Sequence, residues 1–453
     1  MSAPVEIKFG TDGWRAVIGD DFTYESLRRV ADATGRVFAK DHPGGRILVG
    51  FDTRFEAPSF AKAAAEVLAT HGLEVVLSDR YMPTPALCWS VARDPKAIGG
   101  VMLTASHNPA RYSGFKIRMS DGGASPVALT DEVEAALLDE APTARGAYET
   151  ADFMTPYIEA LTGMVDAEAI RSANLRVVYD SLFGAGQGYL ADVLRDLGVD
   201  VHEIHEQQNP CFGNLHPEPI PPHTDSLRDN VTCAERDAGF VTDGDADRIG
   251  AIDENGNFVN PHRIICLVAR HLAEDKGLTG RVVKTVSTSV LVDRLGTALG
   301  LPVTTTPVGF KWIYEEMLAG DVLIGGEESG GIGIPSHVRE RDGLLMALML
   351  TEMMAQRGRT LGQLVEDLFA LTGPMEYQRY DMSIDAATKD AFLARIPEYA
   401  PAEVAGLHVH DIQRTDGLKF LLPDDAWLLL RPSGTEPLVR VYAEASSAGV
   451  VDD

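Results

Sequence analysis

Short apolar runs bounded by turn residues alternate with helix-length stretches as far as residue 350, and this rhythm restricts the chain to few architectures. The runs at 46–51, 175–179, 239–242, 281–286 and 322–324 read as buried strands. Between them, 25–39 sets Leu27, Val30, Ala31, Val37 and Phe38 near one helical face. The stretch 344–354 is apolar nearly all round and predicts a buried helix. Strand, helix, strand in repetition predicts parallel α/β units. With 453 residues the chain exceeds one ordinary core. Proline and glycine clusters at 209–222 and 372–375 punctuate it, and Asn255-Gly256-Asn257 predicts a tight hairpin. Boundaries near 150, 255 and 370 follow. Segments 1–150, 151–255 and 256–370 are expected to be α/β domains and candidate topological cousins, and 371–453, which loses the rhythm, a smaller α+β domain.

Charge narrows function more than fold. A formal net charge of -27, with no Lys/Arg-rich run, opposes nucleic acid and anionic membranes as partners. Small anions remain possible ligands, because a few convergent arginines and backbone amides suffice. The apolar run 344–355 contains Glu352 and falls short of the ~20 residues that a membrane span needs. No basic and apolar leader is visible, and Cys88, Cys211, Cys233 and Cys266 lack CxxC spacing. A cytoplasmic protein with packing thiols is the expectation.

The chemistry gathers in loops behind the strands. Thr242-Asp243-Gly244-Asp245-Ala246-Asp247-Arg248 sets three carboxylates at alternate positions, with small spacers that let the backbone curl around a hard divalent cation. Mg²⁺ suits such an oxygen-only set, and Arg248 offsets its charge; an acidic solvated turn is the bland alternative. Thr104-Ala105-Ser106-His107-Asn108-Pro109 follows an apolar run, and its Asn-Pro turn places Ser106 in an ordered loop at a strand end. If phosphorylated, Ser106 could complete the metal shell; if not, it is an ordinary turn serine. G-x-S-x-G is absent around it. Ser113-Gly114-Phe115-Lys116 matches S-x-x-K, but the companion SDN and KTG motifs fail.

Further loops offer donors. Arg15 in Gly10-Thr11-Asp12-Gly13-Trp14-Arg15 can contact a phosphate. Arg431-Pro432-Ser433-Gly434-Thr435-Glu436-Pro437, with Arg440 beyond it, has the donors of a phosphate cradle. In Gly325-Gly326-Glu327-Glu328-Ser329-Gly330-Gly331, Glu327 and Ser329 can bind sugar hydroxyls. Gly184-Ala185-Gly186-Gln187-Gly188 invites a dinucleotide reading, but Tyr189 occupies the third glycine's place, leaving a strand-to-helix turn.

GTDGWR, TASHNP, DGDADR, GEESGG and RPSGTEP in this order resemble the α-D-phosphohexomutases, the phosphoglucomutase and phosphomannomutase superfamily. The resemblance spans nearly the whole chain. It implies three α/β domains with mixed sheets plus a smaller C-terminal α+β domain, arranged heart-shaped around a central cleft. It also implies that Ser106 is phosphorylated in the resting enzyme and passes its phosphoryl group to a hexose monophosphate. Glucose 1,6-bisphosphate would form, reorient and return its other phosphate. Asp243, Asp245 and Asp247 would hold Mg²⁺ against the phosphoserine, with Arg15 and Arg248 steadying its oxygens. Arg431, Ser433, Gly434, Thr435 and Arg440 would grip the distal phosphate, while Glu327 and Ser329 recognise hydroxyls. Lys116, His107 and His337 are the acid/base candidates.

Substrate choice rests on Pro307-Val308-Gly309-Phe310-Lys311, in which Gly309 and Lys311 fit the glucose-type Gly-aromatic-Lys loop. Mannose-type relatives commonly carry Gly-His there, and phosphoglucosamine mutases Gly-Asp. The expectation is a phosphoglucomutase, a monomer or homodimer, with some mannose phosphate turnover; a phosphomannomutase or dual-specificity phosphohexomutase is the alternative, ahead of a phosphoglucosamine mutase. After 439–444 the chain ends in SSAGVVDD, where relatives commonly add another helix. Two other classes stay open: a Mg²⁺-dependent sugar-phosphate phosphatase, and a noncatalytic sugar-phosphate sensor.

Overall fold

The computed structural model describes residues 5–10, 12–432 and 438–452. Its strands assemble into four principal sheets. The first contains β1 (Trp14–Val17), β2 (Arg46–Phe51), β3 (Glu74–Ser78), β4 (Ala97–Leu103), β5 (Tyr112–Met119) and β6 (Glu149–Ala151), in the order β1-β5-β4-β2-β3-β6. The second contains β7 (Arg176–Asp180), β8 (Asp200–Ile204), β9 (Ala238–Thr242), β10 (Ile249–Asp253) and β11 (Phe258–Val259), ordered β11-β10-β9-β7-β8. The third joins β12 (Arg281–Thr285), β13 (Val303–Thr306), β14 (Val322–Gly326) and β15 (Ile332–Gly333) as β13-β12-β14-β15.

These three sheets repeat one plan. In each, three strands run parallel, joined in the first sheet by β6 as a fourth, and one of the three turns back through a loop into an antiparallel neighbour: β4 into β5, β9 into β10, β14 into β15. The loops so formed carry Ser106, Asp243 to Asp247, and Glu327 to Gly331. Three topologically equivalent strand ends therefore supply the three most chemical loops, at the carboxyl edge where parallel sheets bind ligands.

The remaining sheet is wholly antiparallel. It takes β16 (Glu376–Ser383), β19 (Asp411–Gln413), β20 (Leu418–Leu421), β21 (Trp427–Pro432) and β22 (Leu438–Ala445) in the order β16-β22-β21-β20-β19, while β17 (Glu403–Val404) and β18 (Leu407–His408) form a separate hairpin. Three α/β/α units with mixed sheets and an antiparallel C-terminal unit are the architecture.

The expected hairpin at Asn255-Gly256-Asn257 joins β10 to β11. The expected buried helix is Gly343–Arg357, capped by Asp342, whose side chain accepts the Leu345 N–H, and ended by Gly358 at φ 59°. Its apolar positions belong to a core running from Met102 of β4 through Tyr157 and Leu161 to Val282 of β12. Because one core is shared, the first three units cannot shift independently without opening apolar surface. No helix among the described residues is long and apolar enough to cross a membrane.

Candidate active site

Ser106 lies three residues beyond β4, buried, with φ 51° in the left-handed region that a side chain disfavours. Its conformation is held from several sides. The Thr104 hydroxyl accepts the Ser106 N–H at 2.9 Å, and Arg54 clamps the loop from behind. The Arg54 guanidinium donates to the carbonyl oxygens of Ser106 and Asn108, both at 2.6 Å, and of Pro109 and Tyr112 at 3.0 and 2.9 Å. Asp52 pairs with its Nε at 3.1 Å, and the Phe212 ring lies 4.8 Å away. Such over-determination is what lets a strained backbone persist. The metal-type loop comes so close that a Cβ on Gly244 would collide with the Ser106 carbonyl.

The Ser106 Oγ donates to Asp243 Oδ2 at 2.8 Å. Asp243, Asp245 and Asp247 are wholly buried, and one oxygen of each lies within 4.8 Å of the others. Asp245 Oδ1 and Asp247 Oδ1 are buried yet accept no hydrogen bond among the described residues. A bound cation would satisfy buried carboxylate oxygens that lack donors. This donor set, all hard oxygen, fits Mg²⁺. Burial and the neighbouring Asp245 and Asp247 push Asp243 well above the ordinary carboxylate range. Asp245 goes the other way: against the cost of burial, Lys116 and the Thr84 hydroxyl, at 2.9 and 2.6 Å, hold its pKa down.

Lys116, on β5, ties this cluster to the first unit, since its Nζ also lies 2.9 Å from Asp12 Oδ2. Burial disfavours its charge, but Asp12, Asp245 and Asp247 outweigh that and raise its pKa, so it is an ammonium at neutral pH. Arg341 bridges Asp247 at 2.7 Å and Asp12 at 3.3 Å, with Glu327 at 3.9 Å. Arg118 joins Asp12 to Glu340. Ionic contacts from all three α/β units thus close around the carboxylates.

His107 Nδ1 lies 3.4 Å from Ser106 Oγ, and burial with Arg248 and Arg15 holds its pKa well below the usual imidazole value, leaving it neutral. Arg15 donates to Asn108 Oδ1 at 2.6 Å, and the Arg248 N–H donates to Asp243 Oδ1 at 3.2 Å. Arg248 also bridges Gly331, and the Ile249 N–H donates to the Gly330 carbonyl at 3.0 Å, locking the second loop to the third. Gly330 is required there: at φ 95°, a Cβ would sit 2.6 Å from the Ile249 carbonyl. Glu327 is buried, and Ser329 half-buried at the same turn. Gly309, at φ 126°, precedes the helix Phe310–Ala319, with the Lys311 ammonium over the Trp312 ring. His337 is drawn elsewhere, its Nε2 3.2 Å from Asp342 and its ring packed between Trp89 and Tyr157. Arg431 and Arg440 face each other across β21 and β22. Ser433, Gly434 and Thr435 lie outside the described residues.

Four family profiles, described as phosphoglucomutase/phosphomannomutase α/β/α domains I, II and III and C-terminal domain, match residues 6–143, 155–256, 260–372 and 385–453. The chain belongs to the phosphoglucomutase/phosphomannomutase family. It is 32% identical over 97% of its length to a phosphoglucomutase/phosphomannomutase of Thermococcus kodakarensis, covering 94% of that protein. A phosphoglucosamine mutase of Rubrobacter xylanophilus is 33% identical over 97% of the chain and 93% of its own length. A crystal structure from Thermus thermophilus, of a protein assigned as a phosphomannomutase, superposes with a TM-score of 0.89 at 41% identity, covering 100% of this chain and 97% of that one. The protein is a phosphohexomutase, an intramolecular phosphotransferase acting on sugar phosphates.

Three residues of this phosphohexomutase site escape a reading by motif: Arg54, Asp12 and Arg341. Arg54 gives one signal, a charged Asp-Thr-Arg triplet directly behind an apolar run. Asp12 and Arg341 stand inside motifs but 329 positions apart, and only the fold brings them together.

Proposed function

We propose that this phosphohexomutase interconverts glucose 1-phosphate and glucose 6-phosphate through a Ser106 phosphoenzyme and a glucose 1,6-bisphosphate that reorients in the site. The observation that carries this reading is the buried Ser106 Oγ, 2.8 Å from Asp243 in a carboxylate cluster with donorless oxygens. Asp243, Asp245 and Asp247, with the phosphoserine, would hold Mg²⁺. When bound, that ion supplies the positive charge that polarises the phosphoryl group.

In the transfer, a sugar hydroxyl oxygen bonds to phosphorus as the bond from phosphorus to Ser106 Oγ breaks, and the hydroxyl proton leaves to a base. Arg15 and Arg248 neutralise the moving oxygens, and Lys116, held charged, adds a cation that does not itself accept the proton. His107, neutral and 3.4 Å from Oγ, is placed to hold the proton at Nδ1. Glu327 and Ser329 orient the hydroxyls, and Arg431 and Arg440, with Ser433, Gly434 and Thr435, grip the far phosphate. Arg431 and Arg440, opposite each other in the sheet, bring two guanidinium groups to one place for an anion. Gly309 and Lys311 line the sugar side. A cation at Lys311 disfavours a 2-ammonium sugar, which argues for glucose over glucosamine despite the glucosamine-type relative.

The test is intact mass with peptide mapping of the purified protein, then incubation with glucose 1-phosphate, Mg²⁺ and a trace of glucose 1,6-bisphosphate. Phosphate on Ser106, glucose 6-phosphate formation with little free phosphate, and an inert Ser106→Ala variant are expected. Stoichiometric phosphate release means a phosphatase. Equal or higher kcat/KM with mannose 1-phosphate or glucosamine 1-phosphate overturns the glucose assignment.

A further inference from the structure

The C-terminal unit reaches the segment after β12 in the third unit through hydrogen bonds. Lys419 Nζ donates to the Val286 carbonyl at 2.7 Å, and Glu444 Oε2 accepts the Val290 N–H at 2.9 Å. The segment so fastened also holds the sugar-loop neighbour Glu328, through Ser287 Oγ at 2.7 Å. One contact differs from these, because it touches a phosphate-side group as well.

Asp416 stands in the turn between β19 and β20. A single oxygen, Oδ2, accepts the Val308 N–H at 3.0 Å and the Arg431 Nε–H at 2.9 Å. Val308 immediately precedes Gly309 and Lys311, and Arg431 begins the RPSGTEP motif. One carboxylate thus links the loop that faces the sugar to the arginine that faces the far phosphate. It engages Nε, and a guanidinium fork carries further donors at its two Nη groups for an anion. The turn is shaped for this: Gly417 has φ 101°, and a Cβ there would lie 2.5 Å from the Leu430 carbonyl. Arg431 also faces Arg440, whose own counter-charge is Asp381 at 3.6 Å. Asp416 is the carboxylate that both balances Arg431 and reaches into the third unit.

We propose that Asp416 is a positioning residue that couples capture of the distal phosphate by Arg431 to the seating of the 307–311 sugar loop. The inference rests on the reading of Arg431 as a distal-phosphate ligand. Movement of Arg431 toward a phosphate carries the Asp416 carboxylate with it, and the Val308 amide follows. Sugar discrimination then depends on whether the far phosphate is held.

The experiment is a double-mutant cycle on the full-length enzyme, with Asp416→Ala, Asp416→Asn, Arg431→Gln and the Asp416→Ala/Arg431→Gln pair. KM, kcat and the ratio of kcat/KM for glucose 1-phosphate over mannose 1-phosphate are measured for each. The Asp416 side chain is 24% exposed, so the variants are expected to fold, and circular dichroism checks this. Asp416→Ala should raise KM about tenfold and shift the sugar ratio about threefold, with kcat changed less than about twofold. Asp416→Asn, which keeps an acceptor for Val308 but loses the charge on Arg431, should fall between. In the Arg431→Gln background, Asp416→Ala should add less than about twofold. Full multiplicativity of the two effects, or an Asp416→Ala enzyme with unchanged KM and sugar ratio, overturns the coupling while leaving the distal-phosphate reading intact. An unchanged KM in Arg431→Gln itself overturns that reading, and the coupling with it.

Discussion

Burial at Glu327, relieved in part by Arg341 and aggravated by Glu328, pushes its pKa up from 4.5 to about 7. A carboxyl raised by folding favours the protonated native state, so its relative contribution to stability is complete below the unfolded value and is lost as pH rises through 7. Glu327→Gln, which stays neutral, should therefore gain stability over the wild type as pH rises from about 5 to 8, by up to about 3 kcal/mol. Urea midpoints across that range measure it, and a difference that does not vary with pH would show that the charge is well compensated. The kcat/KM profile should lose its limb near 7 in the same variant. What a motif shows at this scale is local. Ser106, the three aspartates and Glu327 are visible because glycine spacers, hydroxyls and carboxylates cluster within a few positions. Arg54 is not, because its work is to satisfy four carbonyls lying 52 to 58 positions away, and nothing in an arginine's sequence neighbours records that. His337 illustrates the converse: its motif places it among the acid/base candidates, yet its ring is taken up by Asp342, Trp89 and Tyr157.

Among the elements, the helix Gly343–Arg357 shows how one charge in an apolar run can be structural. Glu352 is fully buried, its Oε2 2.8 Å from His271 Nε2 and its Oε1 2.7 Å from both Lys276 Nζ and the Asp166 N–H. This knot ties the helix to Asp166 of the second unit and to His271 and Lys276 of its own. Glu352→Ala takes an acceptor from the buried His271, from the half-buried Lys276 and from the Asp166 N–H, and should cost about 3 kcal/mol; Glu352→Gln, which keeps one acceptor, should cost less. Burial works against the charge, but the bonds from His271 and Lys276 hold the pKa below 4.5. The contribution is therefore present above that value and lost as pH falls through the depressed native one. The gap between wild type and Glu352→Gln in urea unfolding should shrink on acidification below about pH 4. A gap that stays constant would mean that packing, not charge, sets it. Element identity was legible here, since a period-free apolar run of this length reads as a buried helix. The antiparallel returns β5, β10 and β15 were less so. Their direction depends on which neighbour completes the sheet, and β15 spans only Ile332–Gly333, too short for any alternation to register.

On the scale of the whole molecule, three repeats of one sheet plan deliver three loops to a common centre, where cations from the first and third units meet the carboxylates of the second. Lys116 reaches Asp245 from one side and Arg341 reaches Asp247 from the other, so neither unit alone balances the cluster. Balance is nevertheless incomplete, since Asp243 is pushed toward its protonated form and two carboxylate oxygens lack donors. A divalent cation should therefore stabilise the assembled units together rather than the DGDADR loop alone. At about a hundredfold excess over its Kd, Mg²⁺ should add about 2.7 kcal/mol to the folded state and raise the thermal midpoint, against a chelated control. It should also release protons, because it replaces the one that Asp243 otherwise favours. Hydrogen exchange should then slow in concert over 104–112, 243–248 and 327–331, and Asp247→Asn should weaken all three effects. Protection confined to 243–248, or a midpoint shift that survives in Asp247→Asn, would mean that the cation sits on one loop and that the three units are joined by their shared core alone.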